Sequence, residues 1–191
     1  MSRPHEERRL ASRSARLAYL GLLYFVQGLP FGIQVGILPL LLAERGESRT
    51  SIAYASALGM PYMLKFLLAP TVERRYVESI GRRRTWILAM QLLALVTLVV
   101  LAGVIDSDAT TPLMVGVFVL YVAMATMDIS VDGLAVEILH DDELGAGNSA
   151  QSGGYKLGML FASGGVLQVL RWFSWPAVML VLAGIVLAGF V

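Results

Sequence analysis

The sequence predicts an all-α polytopic membrane helix bundle, with six transmembrane helices in a 3+3 inverted repeat. Three observations predict it. Apolar residues make up 57% of the 191-residue chain and charged residues 15%, whereas a soluble domain sits nearer half and a quarter. The apolar excess falls in long uninterrupted blocks, which a soluble core does not need. Arginine crowds into alternate links between those blocks, which is the positive-inside pattern of a multi-pass protein.

The blocks run at about 17–42, 51–70, 85–105, 113–138, 149–170 and 175–191. A bilayer core of ~30 Å takes ~20 helical residues, and the first five blocks meet that length. The sixth is still apolar at Val191, where the sequence stops. Residues 1–16 form a polar, arginine-rich tail that reads as disordered, and residues 17–191 form the bundle. The first block is too long for a secretory signal and leads into five more spans, so it is expected to be a retained helix. The tail carries Arg3, Arg8, Arg9, Arg13 and Arg16, and the link after span 2 carries Arg74, Arg75, Arg82, Arg83 and Arg84. The opposite side has only Arg45, Arg49 and Arg171, so the N-terminus is placed in the cytoplasm. Trp172 and Trp175 flank the last outer link, as interfacial aromatics do.

An internal repeat supports the 3+3 arrangement. Leu23, Tyr24 and Gly36 of span 1 align with Leu120, Tyr121 and Gly133 of span 4. Tyr62, Leu64, Leu67 and Ala69 of span 2 align with Tyr155, Leu157, Leu160 and Ala162 of span 5. An odd number of helices per copy places the copies in opposite orientations.

Ionisable side chains inside spans cost ~2.5–3.5 kcal/mol each on insertion scales and mark functional candidates. Span 2 has Lys65, span 4 has Asp128 and Asp132, and span 5 has Lys156, with Glu137 where span 4 reaches the cytoplasm. At 1.5 Å per residue they lie roughly 8–15 Å from the cytoplasmic boundary. Asp128 and Asp132 are one turn apart and share a face. Two readings follow: a proton-coupling or gating cluster that opens as access alternates, or a permanent ion-pair network that holds the bundle together. Tyr24, Gln27, Phe31 and Gln34 in span 1, and Asn148, Gln151 and Tyr155 in span 5, form polar stripes at helical spacing. These suit the wall of a wet substrate cavity, or simple hydrogen bonding between helices. Pro30 is expected to break span 1 beside this stripe. Gly28, Gly32 and Gly36, like Gly154 and Gly158, are expected to let helices approach closely.

Five arginines lie within the eleven residues from Arg74 to Arg84, next to Glu73. Glu73 with Arg74, Arg82, Arg83 and Arg84 is a candidate breakable latch at the cytoplasmic face. At this link the chain resembles a known family. Ala69-Pro70-Thr71-Val72-Glu73-Arg74 followed by Gly81-Arg82-Arg83-Arg84 is similar to the longer-spaced helix 2–3 signature of the major facilitator superfamily, in the form carried by the AmpG and acetyl-coenzyme A transporter family. The segments Tyr24 to Pro30, Leu64-Lys65, Met127 to Asp132 and Glu143 to Gln151 agree. Tyr155 to Gly158 and Phe173 to Pro176 resemble the branch of major facilitator superfamily domain-containing protein 3. Glu73 stands where the family has Asp. The resemblance implies the N-terminal six-helix half of a major facilitator fold, completed by a second six-helix half, either a C-terminal part or a second copy. It further implies a secondary transporter in the cell membrane (the inner membrane of a Gram-negative cell). Such a carrier would couple protons to a bulky anionic solute, muropeptide-like or acyl-coenzyme A-like.

Other classes are poorly served. The chain has no Cys, and its two His residues, His5 and His140, lie far apart outside the spans, so neither a metal site nor a cofactor is expected. A net charge of +1 gives no field for nucleic acid. Two alternatives stand beside the transporter. One is a truncated or non-transporting membrane module. The other is an integral membrane phosphotransferase using Asp128 and Asp132, whose spacing is similar to that of metal-binding aspartates in lipid head-group enzymes.

Overall fold

The computed structural model describes residues 12–169 and 172–190, and all regular elements among them are helical. The tail up to Ala11, with Arg3, Arg8 and Arg9, lies outside the described residues, as does Arg171.

Span 1 is one composite rod. α1 (Arg13–Gly32) begins at Ser12, whose hydroxyl accepts from the Ala15 N–H at 3.3 Å, leaving one fewer orphan donor at the helix start. It then widens into a π segment, Ile33–Ile37, and continues as α2 (Leu38–Glu44). Pro30 therefore does not break the rod, contrary to the expectation from sequence. The backbone group that Pro30 cannot pair is absorbed within a helix that stays continuous, and the π turn follows three residues later. Gly46 closes α2 at φ +75°, where its N–H and that of Glu47 return to the Ala43 and Leu42 carbonyls at 3.0 Å.

Span 2 differs most from expectation. In place of one helix it runs as α3 (Arg49–Tyr54), a 3-10 segment Ala55–Gly59, α4 (Met60–Met63), a second 3-10 segment Lys65–Leu67, and α5 (Ala69–Arg74). Pro61 and Pro70 each lack the N–H that an α-helix needs there, and Gly59 precedes the first of them. Irregular backbone at membrane depth must be satisfied by protein. Gln34 does this, donating its amide to the Ala55 and Ser56 carbonyls at 3.0 and 2.9 Å.

The remaining spans are α6 (Arg82–Val104), α7 (Thr110–Ile138), α8 (Leu144–Leu160) with a π segment Phe161–Gly165 and α9 (Val166–Val169), and α10 (Trp175–Ala188). Among the described residues, three helices are long and apolar enough to cross a bilayer: the composite rod Arg13–Glu44, α6 and α7. α10 is a shorter apolar helix.

α1 packs along α8, the pieces of span 2 lie on α7, α6 packs between α7 and α10, and α1 touches α7. Exchanging span 1 with span 4, and span 2 with span 5, converts the first pairing into the second, as the internal repeat suggests. The α1–α8 seam is set by glycine. A Cβ on Gly28 would fall on the Tyr155 carbonyl, one on Gly154 on the Gly21 carbonyl, and one on Gly158 on the Phe25 carbonyl. The two π segments face each other at the end of this seam, with Gly36 against Ser163. Leu20, Leu23, Leu98, Leu101, Val117, Leu120, Met124 and Leu182 fill the core. Leu92, Val96, Val99 and Val100 on α6 face outward, an apolar surface suited to lipid.

Candidate functional site

Three elements converge on one ion cluster. α7 supplies Asp128 and Asp132, α1 supplies Tyr24, and the second 3-10 segment of span 2 supplies Lys65. The break in span 2 brings its lysine to the helix that carries both acids. Lys65 Nζ lies 2.5 Å from Asp128 Oδ2 and 3.5 Å from Asp132 Oδ2. The Tyr24 hydroxyl donates to Asp132 Oδ1. Asp128 is almost fully buried, while half of the Asp132 side chain is exposed. Two carboxylates thus share one ammonium and one hydroxyl.

The cluster forms one wall of a pocket of about 360 Å³, whose other lining residues are Asn148, Gln151, Ser152, Tyr155 and Lys156. Lys156 is exposed on that wall and makes no ion pair among the described residues. A second pocket of about 370 Å³ shares Tyr155 and is lined mainly by Phe31, Gln34, Met60, Tyr62, Met63 and Tyr121. Of the residues expected to line a cavity, Tyr24, Asn148, Gln151 and Tyr155 lie on the first pocket and Gln34 on the second. Gln27 lies on neither. It is fully buried, because three residues along an α-helix turn it about 60° away from Tyr24.

The link after span 2 forms a separate network. Glu73 takes Arg83 at 2.5 Å and Arg82 at 2.8 Å, while Glu137 takes Arg83 at 2.9 Å and Arg82 at 3.4 Å. Glu137 thus stands with the latch arginines and not with Lys65 and the aspartates. The network ties α5 and the head of α6 to the end of α7. The Arg83 hydrogen bond, helped by the nearby Arg82 charge, holds the Glu73 carboxyl below its usual value. Arg74 is exposed and makes no ion pair among the described residues, and Arg84 is exposed next to Arg83. Gly133 gives Arg83 its place, since a Cβ there would meet the guanidinium.

One pair went unseen in the sequence. Arg16 grips Glu143 with two hydrogen bonds, at 2.5 and 3.1 Å, and Glu143 also accepts from the His140 N–H at 3.1 Å. Both side chains are nearly buried. The Arg16 fork holds the Glu143 carboxyl below its usual value against the opposing effect of burial. This fork fastens the start of α1 to the link between α7 and α8.

The family model for acetyl-coenzyme A transporter 1 matches residues 16–112, just over half of the chain. The chain belongs to this family. It is 34% identical over 170 residues to an uncharacterized protein of Haemophilus influenzae, covering 86% of this chain and 39% of that protein. It is 31% identical over 177 residues to the anhydromuropeptide permease of Escherichia coli K12, covering 92% of this chain and 35% of the permease. An uncharacterized Schizosaccharomyces pombe protein is 32% identical over 158 residues, 80% of this chain and 30% of that protein. The chain therefore spans about a third of the length of the curated relatives it matches. Membership in the acetyl-coenzyme A transporter family makes this a multi-pass membrane protein of a transporter family. It also sets aside the phosphotransferase reading of Asp128 and Asp132.

Proposed function

We propose that this chain forms the cytoplasm-anchored, N-terminal half of a major facilitator carrier that moves a bulky anionic solute together with a proton. The observation that carries the proposal is one lysine shared by two acids beside a second lysine that makes no ion pair among the described residues. Lys65 is held by Asp128 and Asp132, while Lys156 lines the same pocket. An anionic group drawn to Lys156 competes with the aspartates for Lys65. Once Lys65 swings away, Asp128 is a buried carboxylate without a cation, a state too costly to persist. A proton neutralises it, and solute and proton then cross together. Asp132, hydrogen-bonded to Tyr24 and half exposed, is the group through which the proton reaches Asp128 from the pocket.

The solute class is taken from the charge of the pocket and from the family, whose Escherichia coli relative is named for anhydromuropeptide and whose family model is named for acetyl-coenzyme A. A second six-helix half, from a longer chain or a second copy, covers the face formed by span 2 and α8. Lys65, Met63, Phe66 and Leu160 are open there, and irregular, charged backbone does not face lipid. In this reading the N-terminus is cytoplasmic, the protein sits in the cell membrane, and the Glu73–Arg82–Arg83–Glu137 network closes the cytoplasmic side of the half. Uptake of labelled muropeptide and acetyl-coenzyme A into energised vesicles tests it. Asp128→Asn and Asp132→Asn are expected to abolish uptake driven by a proton gradient while the protein remains folded. Unchanged uptake in both variants would remove the proposal.

A further inference from the structure

We propose that the link between α5 and α6 holds the headgroup of an anionic phospholipid on Arg74 and Arg75. The partner is the membrane surface, and the site is separate from the pocket that holds Lys65 and Lys156.

The structure divides the arginines at this link by what they touch. Arg82 and Arg83 are paired with Glu73 and Glu137. Arg74 and Arg75 are exposed, and neither makes an ion pair among the described residues. Glu78, the acid within the link, is also exposed and makes no ion pair among the described residues, so it neutralises neither guanidinium. Two adjacent cations are thus left without a protein counter-charge among those residues.

The backbone that carries Arg75 is fixed. The Trp86 indole N–H donates to the Arg75 carbonyl at 2.6 Å. The Thr85 hydroxyl accepts from the Val77 N–H at 3.2 Å and donates to the Gly81 carbonyl at 2.7 Å. The Ile80 and Gly81 N–H groups both return to the Val77 carbonyl, and Gly81 closes the turn at φ +94°. A bound headgroup therefore orders two side chains and not a loose segment, which lowers the entropy lost on binding.

The surroundings favour a lipid over a dissolved anion. Tyr76, Val77 and Ile80 in the same link are each more than two-fifths exposed, an apolar surface for which a soluble phosphate has no use. Trp86 lies near the start of α6, where an indole marks the membrane interface. Further along, α6 exposes Leu92, Val96, Val99 and Val100. Guanidinium groups take phosphate oxygens through paired hydrogen bonds, and basic sites at the ends of membrane helices hold acidic headgroups.

Native mass spectrometry of the detergent-solubilised chain, titrated with phosphatidylglycerol or phosphatidylcholine, tests this. Phosphatidylglycerol is expected to bind more tightly, because choline offsets the phosphate charge of the other lipid. Arg74→Gln and Arg75→Gln should each weaken phosphatidylglycerol binding about fivefold and the double variant about thirtyfold, the worth of roughly 1 kcal/mol per basic residue at an anionic surface. Binding of phosphatidylcholine should not change. Both positions are exposed, so the variants should melt with wild type; if the double variant does not, the single variants carry the comparison. Arg13→Gln removes an exposed arginine at the start of α1, outside the site, and should leave both lipids unaffected. Absence of bound lipid, equal affinity for the two lipids, or an equal loss in Arg13→Gln would overturn the inference, the last because it marks a diffuse basic surface. Glycerol 3-phosphate at the lipid concentration should not displace phosphatidylglycerol, and displacement would overturn the assignment to lipid.

Discussion

Gly153 and Gly154 are neighbours on α8 but meet different surroundings, which gives a sharp test of the α1–α8 seam. A Cβ at Gly154 would fall on the backbone of Gly21, whereas one at Gly153 meets open space. Ala is the better helix former by roughly 1 kcal/mol, so Gly153→Ala should be stabilising. At Gly154 the obstacle is main chain, which cannot rotate aside as a side chain can. Overpacking of this kind costs about 1–3 kcal/mol, and α1 is further tied to α7 through Tyr24 and Asp132. For a chain of this size 1 kcal/mol corresponds to about 2–4 °C in Tm. Gly154→Ala should therefore melt about 2–12 °C lower than wild type, and Gly153→Ala about 2–4 °C higher. Tryptophan fluorescence followed on heating the detergent-solubilised protein reads both. Shifts of the same sign, or a Gly154→Ala protein as stable as wild type, would refute the idea that backbone contact sets this seam.

Two further outcomes follow from the ion pairs. Glu73→Gln should lower Tm by about 1–3 °C at pH 7, since the network is partly exposed and each pair contributes up to ~1 kcal/mol. Because the folded Glu73 carboxyl sits below its usual value, its contribution is fully present above the unfolded value of about 4.3. The gap to wild type should hold from pH 8 to pH 5 and close only on further acidification, as melting scans across pH would show. Lys65→Met should destabilise the bundle by about 1–2 kcal/mol, less than the ~3–5 kcal/mol of a fully buried pair because the Lys65 side chain is 37% exposed. Adding Asp128→Asn should recover most of that loss, and a double variant no better than Lys65→Met would contradict the pairing.

Much of the fold was legible because membrane insertion writes itself into composition. The all-α character and three membrane-length helices among the described residues follow the apolar blocks, and the charged residues within those blocks, Lys65, Asp128 and Asp132, stand together because they are costly elsewhere. The break in span 2 was visible in Gly59, Pro61 and Pro70, yet hydropathy averages over such residues and returned one continuous helix. The π segments left no comparable mark, since they arise from how α1 and α8 pack and not from local preference. Gln27 was assigned to the cavity on spacing alone, and helical geometry turned it into the core. Glu137 lies at the end of α7 within reach of Arg82 and Arg83, a distance that linear order does not reveal. The Arg16–Glu143 fork joins positions 127 residues apart. Each end, taken singly, passes for an ordinary charge at the membrane surface.

Proton movement itself is the most direct test of the shared-lysine account. The protein, with its second half supplied by a longer chain or a second copy, is sealed into liposomes with a trapped pH dye, and the anionic solute is added outside. Acidification of the lumen on addition is the predicted result, with none in Asp128→Asn. Solute entering without acidification, or acidification persisting in Asp128→Asn, would contradict the assignment of the proton to this cluster.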